Sequence, residues 1–340
     1  MVNVAVVGAT GYAGEELIGL LLKHPQARIT DISAKIPKQA PIAEIFPKFA
    51  TKIDLICKEP DLAEVSKKAD LVFLALPHTV SLQFVPKLLA AGKRVIDLSA
   101  DYRLSDIKTY EEFYHAKHAD NKNLGLAVYG LPELYREKIK KAQLIANPGC
   151  YPTVSILSLA PLVALGGADL NSIIIDAKSG VTGAGRKAVE SLLFSEVNED
   201  FKAYKVNTHQ HAPEIDQEIS KLAGKKVKTT FVPHLLPLSR GILATIYIKK
   251  TQSAKRKAQN TISLYKKFYK KEPFVRIREE GDYPRLNDVA HTNFCDISVR
   301  EDKDSFIIIG AIDNLLKGAS AQAVQNMNIM YGFPEKSGLV

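Results

Sequence analysis

Three groups of residues in this chain have types and spacings suited to chemistry. In ANPGCYPT, residues 146–153, the lone Cys150 follows Asn-Pro-Gly and precedes a helix-like run. A helix N-terminus offers unpaired N–H groups and the positive end of the helix dipole, which lower a thiol's pKa and favour the nucleophilic thiolate. Pro152 suits the first turn of such a helix. A cysteine nucleophile needs a proton acceptor, and in NTHQHAPEI His209 and His211 stand two apart, on one face if the segment is extended. The third group is GATGYAG, where Gly8, Gly11 and Gly14, with Thr10 and Tyr12 between them, follow a short apolar run and open a helical pattern. Such glycines allow a tight turn and a close approach to a pyrophosphate at a helix N-terminus.

Other residues refine this chemistry. At the end of the second apolar run, DISAKIPK sets Ser33 and Lys35 where an adenosine ribose would lie, with Asp31 inside the strand, which favours the extra phosphate of NADP over NAD. Lys38 is the next cation. Arg103 in ADYRL, Arg186 in GAGRK and Arg240 in LSRGI lie on polar or glycine-rich loops, and their planar forks suit anionic substrate groups. Cys57 and Cys295 sit in strand-like segments, where a small apolar filler is the default. The paired histidines lack a third ligand at workable spacing, so no metal site is expected. His24, His115 and His118 read as surface residues, as does His78 unless it lines the cofactor groove.

The elements that must position these residues follow from periodicity. VNVAVVG, RITDIS, ADLVFLALP, KRVIDLS and QLIANPG are short strand-like runs separated by helical stretches, the pattern of βαβ units and a parallel sheet. After Cys150 a long apolar helix leads into SIIIDAKSG, KVKTTFVPHLLPL, GILATIYIKK, NFCDISVRE and DSFIIIGAID, where strands dominate. The fold class is therefore α/β: a Rossmann-type parallel-sheet domain, then an α+β domain on a mixed, mostly antiparallel sheet. The expected boundaries are 1–148, completed by the C-terminal segment 315–340, and 149–314. Composition agrees, since 340 residues that are 46% hydrophobic and 24% charged suit two ordinary domains with cores. Three scattered cysteines make no disulfide framework. MVNVAVVG lacks the basic start and long apolar core of a signal peptide, and no apolar run reaches membrane-spanning length, so a cytoplasmic protein without a membrane partner is expected. The net charge of +9 is thinly spread, with no recognition motif for nucleic acid, and fits a phosphorylated small-molecule substrate.

A nicotinamide site joined to a cysteine and a histidine suggests acyl transfer to sulfur followed by hydride transfer to the thioester, or the reverse. The whole chain resembles the N-acetyl-gamma-glutamyl-phosphate reductases of arginine biosynthesis. The resemblance rests on GATGYAG, LSADYRL, VYGLPEL, NPGCYPT, DAKSGVTGAGRKA, THQHAPEI, FVPHLLPLSRGI and AIDNLLKGASAQAVQNMNIM, in that order. It implies a Rossmann domain, a catalytic and oligomerisation domain forming a homo-oligomer (dimer or tetramer), NADPH as reductant, an acyl phosphate substrate, and Cys150 as the residue acylated. Two positions depart from the family pattern, Gln210 where arginine is common and His291 where glycine is common. Rival readings are a sister reductase acting on aspartyl phosphate or on a carrier-bound aminoadipyl or glutamyl group, and a redox-sensing NADP-binding regulator. Between the histidines, His209 is favoured as the acid-base group, because His211 lies nearer the helix-like PEIDQEISKL.

Overall fold

The first strand, Val2–Val7, divides its side chains between two layers. Val4 and Val6 join one core with Leu17, Ile18, Ala323, Val324 and Met327. Ala5 and Val7 join another with Val65, Val72, Val85 and Leu88. A strand buried on both faces is apolar on both, which is why, beyond the half-buried Asn3, the run Val4–Val7 shows no polar alternation. The computed structural model describes residues 1–252 and 260–340, which divide into two units, Met1–Pro148 with Ala319–Val340, and Gly149–Gly318.

In the first unit six parallel strands lie in the order Ala27–Ser33, Val2–Val7, Leu71–Leu74, Arg94–Asp97, Leu144–Ala146 and Ala127–Tyr129. The chain leaves the first strand for opposite neighbours, so the crevice at its carboxyl end is the topological switch point where α/β sheets bind ligands. The helix Ala321–Tyr331 packs on Tyr12–Leu21, the helix of the glycine turn, and thereby covers one face of the sheet. It is tied there by Ser320, whose hydroxyl donates to the Ala13 carbonyl at 2.8 Å, and by Asn328, whose Oδ1 lies 2.8 Å from His24 Nε2. His24 is therefore buried, and burial lowers its pKa. His118 is buried too, its Nε2–H donating to the Asp101 carbonyl at 2.7 Å between the rings of Tyr102 and Tyr110. The surface placement expected for these two histidines is thus corrected: each has a tertiary partner far from it in sequence.

The second unit holds a seven-stranded sheet in the order Lys202–Ala203, Thr230–Leu236, Ile174–Gly180, Ile242–Lys249, Ser305–Ile312, Cys295–Glu301 and Val275–Ile277. Four of its pairings are antiparallel and two parallel. Against its central strands lies the helix Cys150–Leu165, apolar around its whole circumference and buried along nearly all of it. Contact is close, since a Cβ at Gly310 would fall 2.4 Å from Ser158 Oγ. Pro161 inside this helix cannot donate to the Leu157 carbonyl four residues back. Tyr269 compensates, its hydroxyl donating to that carbonyl at 2.5 Å. The interior proline therefore leaves no buried acceptor unpaired, and the helix stays continuous from its N-terminal cysteine.

Candidate active site

The three glycines of the first turn do different work. Gly8 has φ +90°, and a Cβ there would lie 2.2 Å from the Ala75 carbonyl oxygen. A Cβ at Gly14 would lie 2.3 Å from the Gly8 oxygen. The fold itself forbids side chains at both. Gly11 has φ −74°, and a Cβ there would meet nothing closer than the Gly8 oxygen at 3.5 Å. It is the N-cap of Tyr12–Leu21 and, as a glycine, brings no side chain to cap that turn. Open space at a helix N-terminus is what a dinucleotide's pyrophosphate requires. Thr10 and Tyr12, both half-buried, flank it. Gly8→Ala and Gly14→Ala are expected to destabilise the protein by about 3 kcal/mol or more. Gly11→Ala should keep its melting temperature and raise the nucleotide Kd at least about tenfold; thermal melts and nucleotide titration together check both halves.

The second strand ends at Ser33, with Asp31 inside it and buried, its pKa raised chiefly by that burial. Ser33 itself departs from expectation. Its carbonyl accepts from the N–H groups of Gly8 at 2.7 Å and Ala9 at 3.1 Å, which draws the residue beneath the turn and leaves its side chain fully buried. The hydroxyl expected to meet the ribose is thus buried, whereas Lys35, two residues on, is exposed.

In the second unit Cys150 is the first residue of its helix, after Gly149 as N-cap, a glycine that brings no capping side chain. It is partly exposed, whereas Cys57 and Cys295 are buried, and burial pushes the Cys57 thiol up to about 11. Gly318 packs so closely on the cysteine that a Cβ there would lie 2.6 Å from Cys150 Cβ. Gly318 is held by its N–H, which donates to the Asp313 carbonyl at 2.9 Å.

The histidine segment is not extended. It forms a turn in which the Ala212 N–H donates to the His209 carbonyl at 2.9 Å, and His211 becomes the N-cap of the helix Ala212–Ala223. The turn brings the rings within 4.8 Å of each other, a closeness that strand alternation would not produce. His209 is buried, and its Nδ1 accepts the His211 N–H at 3.0 Å, so its neutral form carries the proton on Nε2, which faces the Tyr204 hydroxyl at 3.5 Å. Tyr204 donates in turn to the Tyr151 hydroxyl at 3.1 Å. Burial, and after it the nearby charge of Cys150, pushes Tyr204 up to about 12, so both tyrosines stay neutral donors at physiological pH. His211 lies elsewhere: a Cβ on Gly149, the residue before Cys150, would fall 2.5 Å from His211 Nε2. The imidazole pressed against the cysteine turn is that of His211.

The arginines separate as well. Arg103 is buried in the first unit, its Nε donating to the Asn147 carbonyl and an Nη to the Leu98 carbonyl, both at 2.7 Å. These bonds tie the ADYRL loop to the strand ends and fix where the guanidinium expected to meet a substrate anion is held. In the second unit Arg186 is exposed on the loop after Val181–Ala184. Arg240 is oriented by an ion pair to the fully buried Asp313 at 3.2 Å. Asp313 also accepts the His291 N–H at 2.8 Å and the N–H groups of Leu315 and Leu316. At the other departure from the family pattern, Gln210 Oε1 accepts from Lys205 Nζ at 3.0 Å. Asp313, Tyr204 and Glu214 carry no signal in the sequence that marks them for the site. Glu214 is visible there only as the acidic residue of a helix start, whereas the partners of Asp313 and Tyr204 come from remote segments. Among the described residues no group of histidines, cysteines and carboxylates could hold a metal, and no helix is long and apolar enough to cross a membrane.

Residues 3–142 match the NAD binding domain of semialdehyde dehydrogenases, and residues 150–314 match their dimerisation domain. The N-acetyl-gamma-glutamyl-phosphate reductase of Desulfotalea psychrophila is 50% identical over 342 residues, covering 100% of this chain and 98% of the relative. That of Geobacter metallireducens is 49% identical with the same coverage. Among solved structures, aspartate semialdehyde dehydrogenase II of Vibrio cholerae superposes with a TM-score of 0.74 at 16% identity, over 98% of both chains. The aspartate semialdehyde dehydrogenase of Candida albicans, solved with NADP, gives 0.71 at 15% identity, over 97% of this chain and 98% of its own.

Proposed function

The chain belongs to the semialdehyde dehydrogenase family, and we propose that its reaction is the nicotinamide-dependent reduction of N-acetyl-gamma-glutamyl phosphate to N-acetylglutamate semialdehyde and phosphate, in arginine biosynthesis. The observation that carries the chemistry is the His211 imidazole packed against Gly149, beside a partly exposed thiol at a helix N-terminus. Identity near 50% along the whole chain carries the substrate.

Cys150, deprotonated by His211 and stabilised by the helix N-terminus, attacks the acyl carbon; a C–S bond forms, the C–O bond to phosphate breaks, and phosphate leaves. The bound reduced nicotinamide supplies the hydride that turns the thioester into a hemithioacetal. His211 returns its proton to the oxyanion as it forms, then accepts it again as the C–S bond breaks and the aldehyde departs. Arg240, held by Asp313, and the exposed Arg186 are the cations offered to the substrate's phosphate and carboxylate. The glycine turn holds the cofactor, and Lys35 is the cation offered to the ribose phosphate of NADP. Lys35→Ala should therefore weaken NADP about tenfold more than NAD; equal loss for both, measured by titration, would move that contact to Lys38.

The protein is a homo-oligomer in this proposal and works in the cytoplasm. Leu193, Phe194 and Phe201 stand at least half exposed in the second unit, apolar area of the kind that self-association covers. The function is tested in the reverse direction, with N-acetylglutamate semialdehyde, phosphate and NADP, following reduced nucleotide by absorbance. Aspartate semialdehyde in the parallel arm should give a kcat/KM at least about a hundredfold lower. Comparable rates on both would reassign the substrate.

A further inference from the structure

The turn after the strand Ser305–Ile312 reaches several parts of the second unit's site from two adjacent buried residues. In Asp313 each carboxylate oxygen takes two donors. Oδ2 accepts Arg240 Nη1 at 3.2 Å and the His291 N–H at 2.8 Å, while Oδ1 accepts the N–H groups of Leu315 at 2.8 Å and Leu316 at 2.9 Å. His291 offers its N–H from left-handed backbone, φ +61°, a conformation that is costly for any residue but glycine. Asn314 accepts the Gly241 N–H at 2.7 Å and donates to the Thr182 hydroxyl oxygen at 2.9 Å. The backbone beside Arg240 is thus fixed by Asn314, and its guanidinium by Asp313. The turn then closes as a π-turn, in which the Asp313 carbonyl accepts the Gly318 N–H at 2.9 Å. In an α-turn the donor would be Lys317. The extra residue brings glycine to the place where Cys150 packs, and a Cβ there would lie 2.6 Å from Cys150 Cβ and 3.1 Å from its Cα. Lys317 is turned inward instead, its Nζ 5.8 Å from the centre of the Phe274 ring. Single π-turns are rare and recur at functional sites. Oδ1 of Asp313 holds this one as an N-cap carboxylate does, through the second and third amides that follow it.

We propose that Asp313 is a positioning residue for both partners of the thioester-forming step. Its Oδ2 aims Arg240 at an anionic group of the substrate, and its Oδ1 and carbonyl fold the turn that seats Gly318 against Cys150. The proposal rests on the reading of Cys150 as nucleophile and Arg240 as substrate cation. One buried side chain then sets where the bound anion lies relative to the sulfur. Attack on the acyl carbon depends on that placement, since a misplacement of about 1 Å costs roughly 10²-fold in rate.

Asp313→Asn separates the two roles. An asparagine has one acceptor oxygen, which finds two fixed amides on the Oδ1 side and only one on the Oδ2 side, where Arg240 can swing away. The turn keeps its acceptor, and Arg240 loses its ion pair. In the reverse assay the KM of one anionic substrate, phosphate or the semialdehyde, should rise at least about tenfold while kcat changes less than about threefold. Arg240→Ala should raise the same KM, and adding Asp313→Asn to it should raise that KM less than about twofold further, because the two residues act as one. Asp313→Ala, which lacks both acceptors, should also lower kcat at least about tenfold below Asp313→Asn. Gly318→Ala leaves the carboxylate in place and crowds the nucleophile, so its kcat should fall at least about tenfold at unchanged KM. A wild-type KM in Asp313→Asn, or KM effects that multiply in the double variant, overturns the aiming of Arg240. A wild-type kcat in Gly318→Ala overturns the seating of Cys150, whether or not Asp313→Ala folds. If Arg240→Ala itself binds both anions as wild type does, the reading of Arg240 falls and takes the first role with it. A defective Arg240→Ala beside an unaffected Asp313→Asn refutes Asp313 alone.

Discussion

Cys150→Ser is expected to lose at least about three orders of magnitude in turnover while keeping its fold and its nucleotide affinity. The loss follows from chemistry, since a serine alkoxide is far harder to form than a thiolate, and the helix N-terminus that favours a thiolate cannot make up the difference. The fold survives because a serine side chain is near-isosteric with cysteine at this partly exposed helix start. Cys57→Ser and Cys295→Ser are the controls. Both thiols are buried, so each change should cost stability of about 1 kcal/mol and leave kcat close to wild type. A Cys150→Ser variant with most of its activity would end the covalent mechanism.

The histidine pair should divide cleanly. His211→Asn is expected to lower kcat by about 10²- to 10⁴-fold and to remove one limb of the pH profile, because it deletes the imidazole beside the cysteine turn. His209→Asn should keep both limbs. The asparagine oxygen can replace Nδ1 as acceptor of the His211 N–H, so the loss should be modest, read mainly in KM. His209→Ala, with no acceptor, should be worse than His209→Asn. If His209→Asn removes the limb instead, the roles are reversed and the sequence's preference for His209 returns.

The extended conformation expected of the histidine segment fails in the structure for a physical reason. Spacing of two aligns side chains only in a strand, and Pro213 argues for an extended THQHAPE by excluding a helix that runs through it. The same proline is tolerated in a helix's first turn, and the chain uses it there, so the histidines meet through a turn that backbone hydrogen bonds close.

What the sequence by itself determined is what local grammar can carry. Apolar runs of strand length between helical stretches specify a parallel sheet, glycines at positions 8, 11 and 14 specify a turn at a helix mouth, and Asn-Pro-Gly before Cys150 specifies a helix that begins at a thiol. Each depends on neighbours within a few residues, so it is written contiguously. Tertiary structure decided everything that depends on a partner far away in the chain. Arg103 became a clamp because the Asn147 carbonyl comes to it across 44 positions, and Arg240 is aimed by an aspartate 73 positions on. Ser33 is drawn beneath the glycine turn because its carbonyl serves the amides of Gly8 and Ala9. Glu214 finds its partner because the helix it begins lands on Gly149, 65 positions earlier. Burial and hydrogen-bond satisfaction are properties of the packed whole, and which side of a polar residue finds its partner is settled only when remote segments meet.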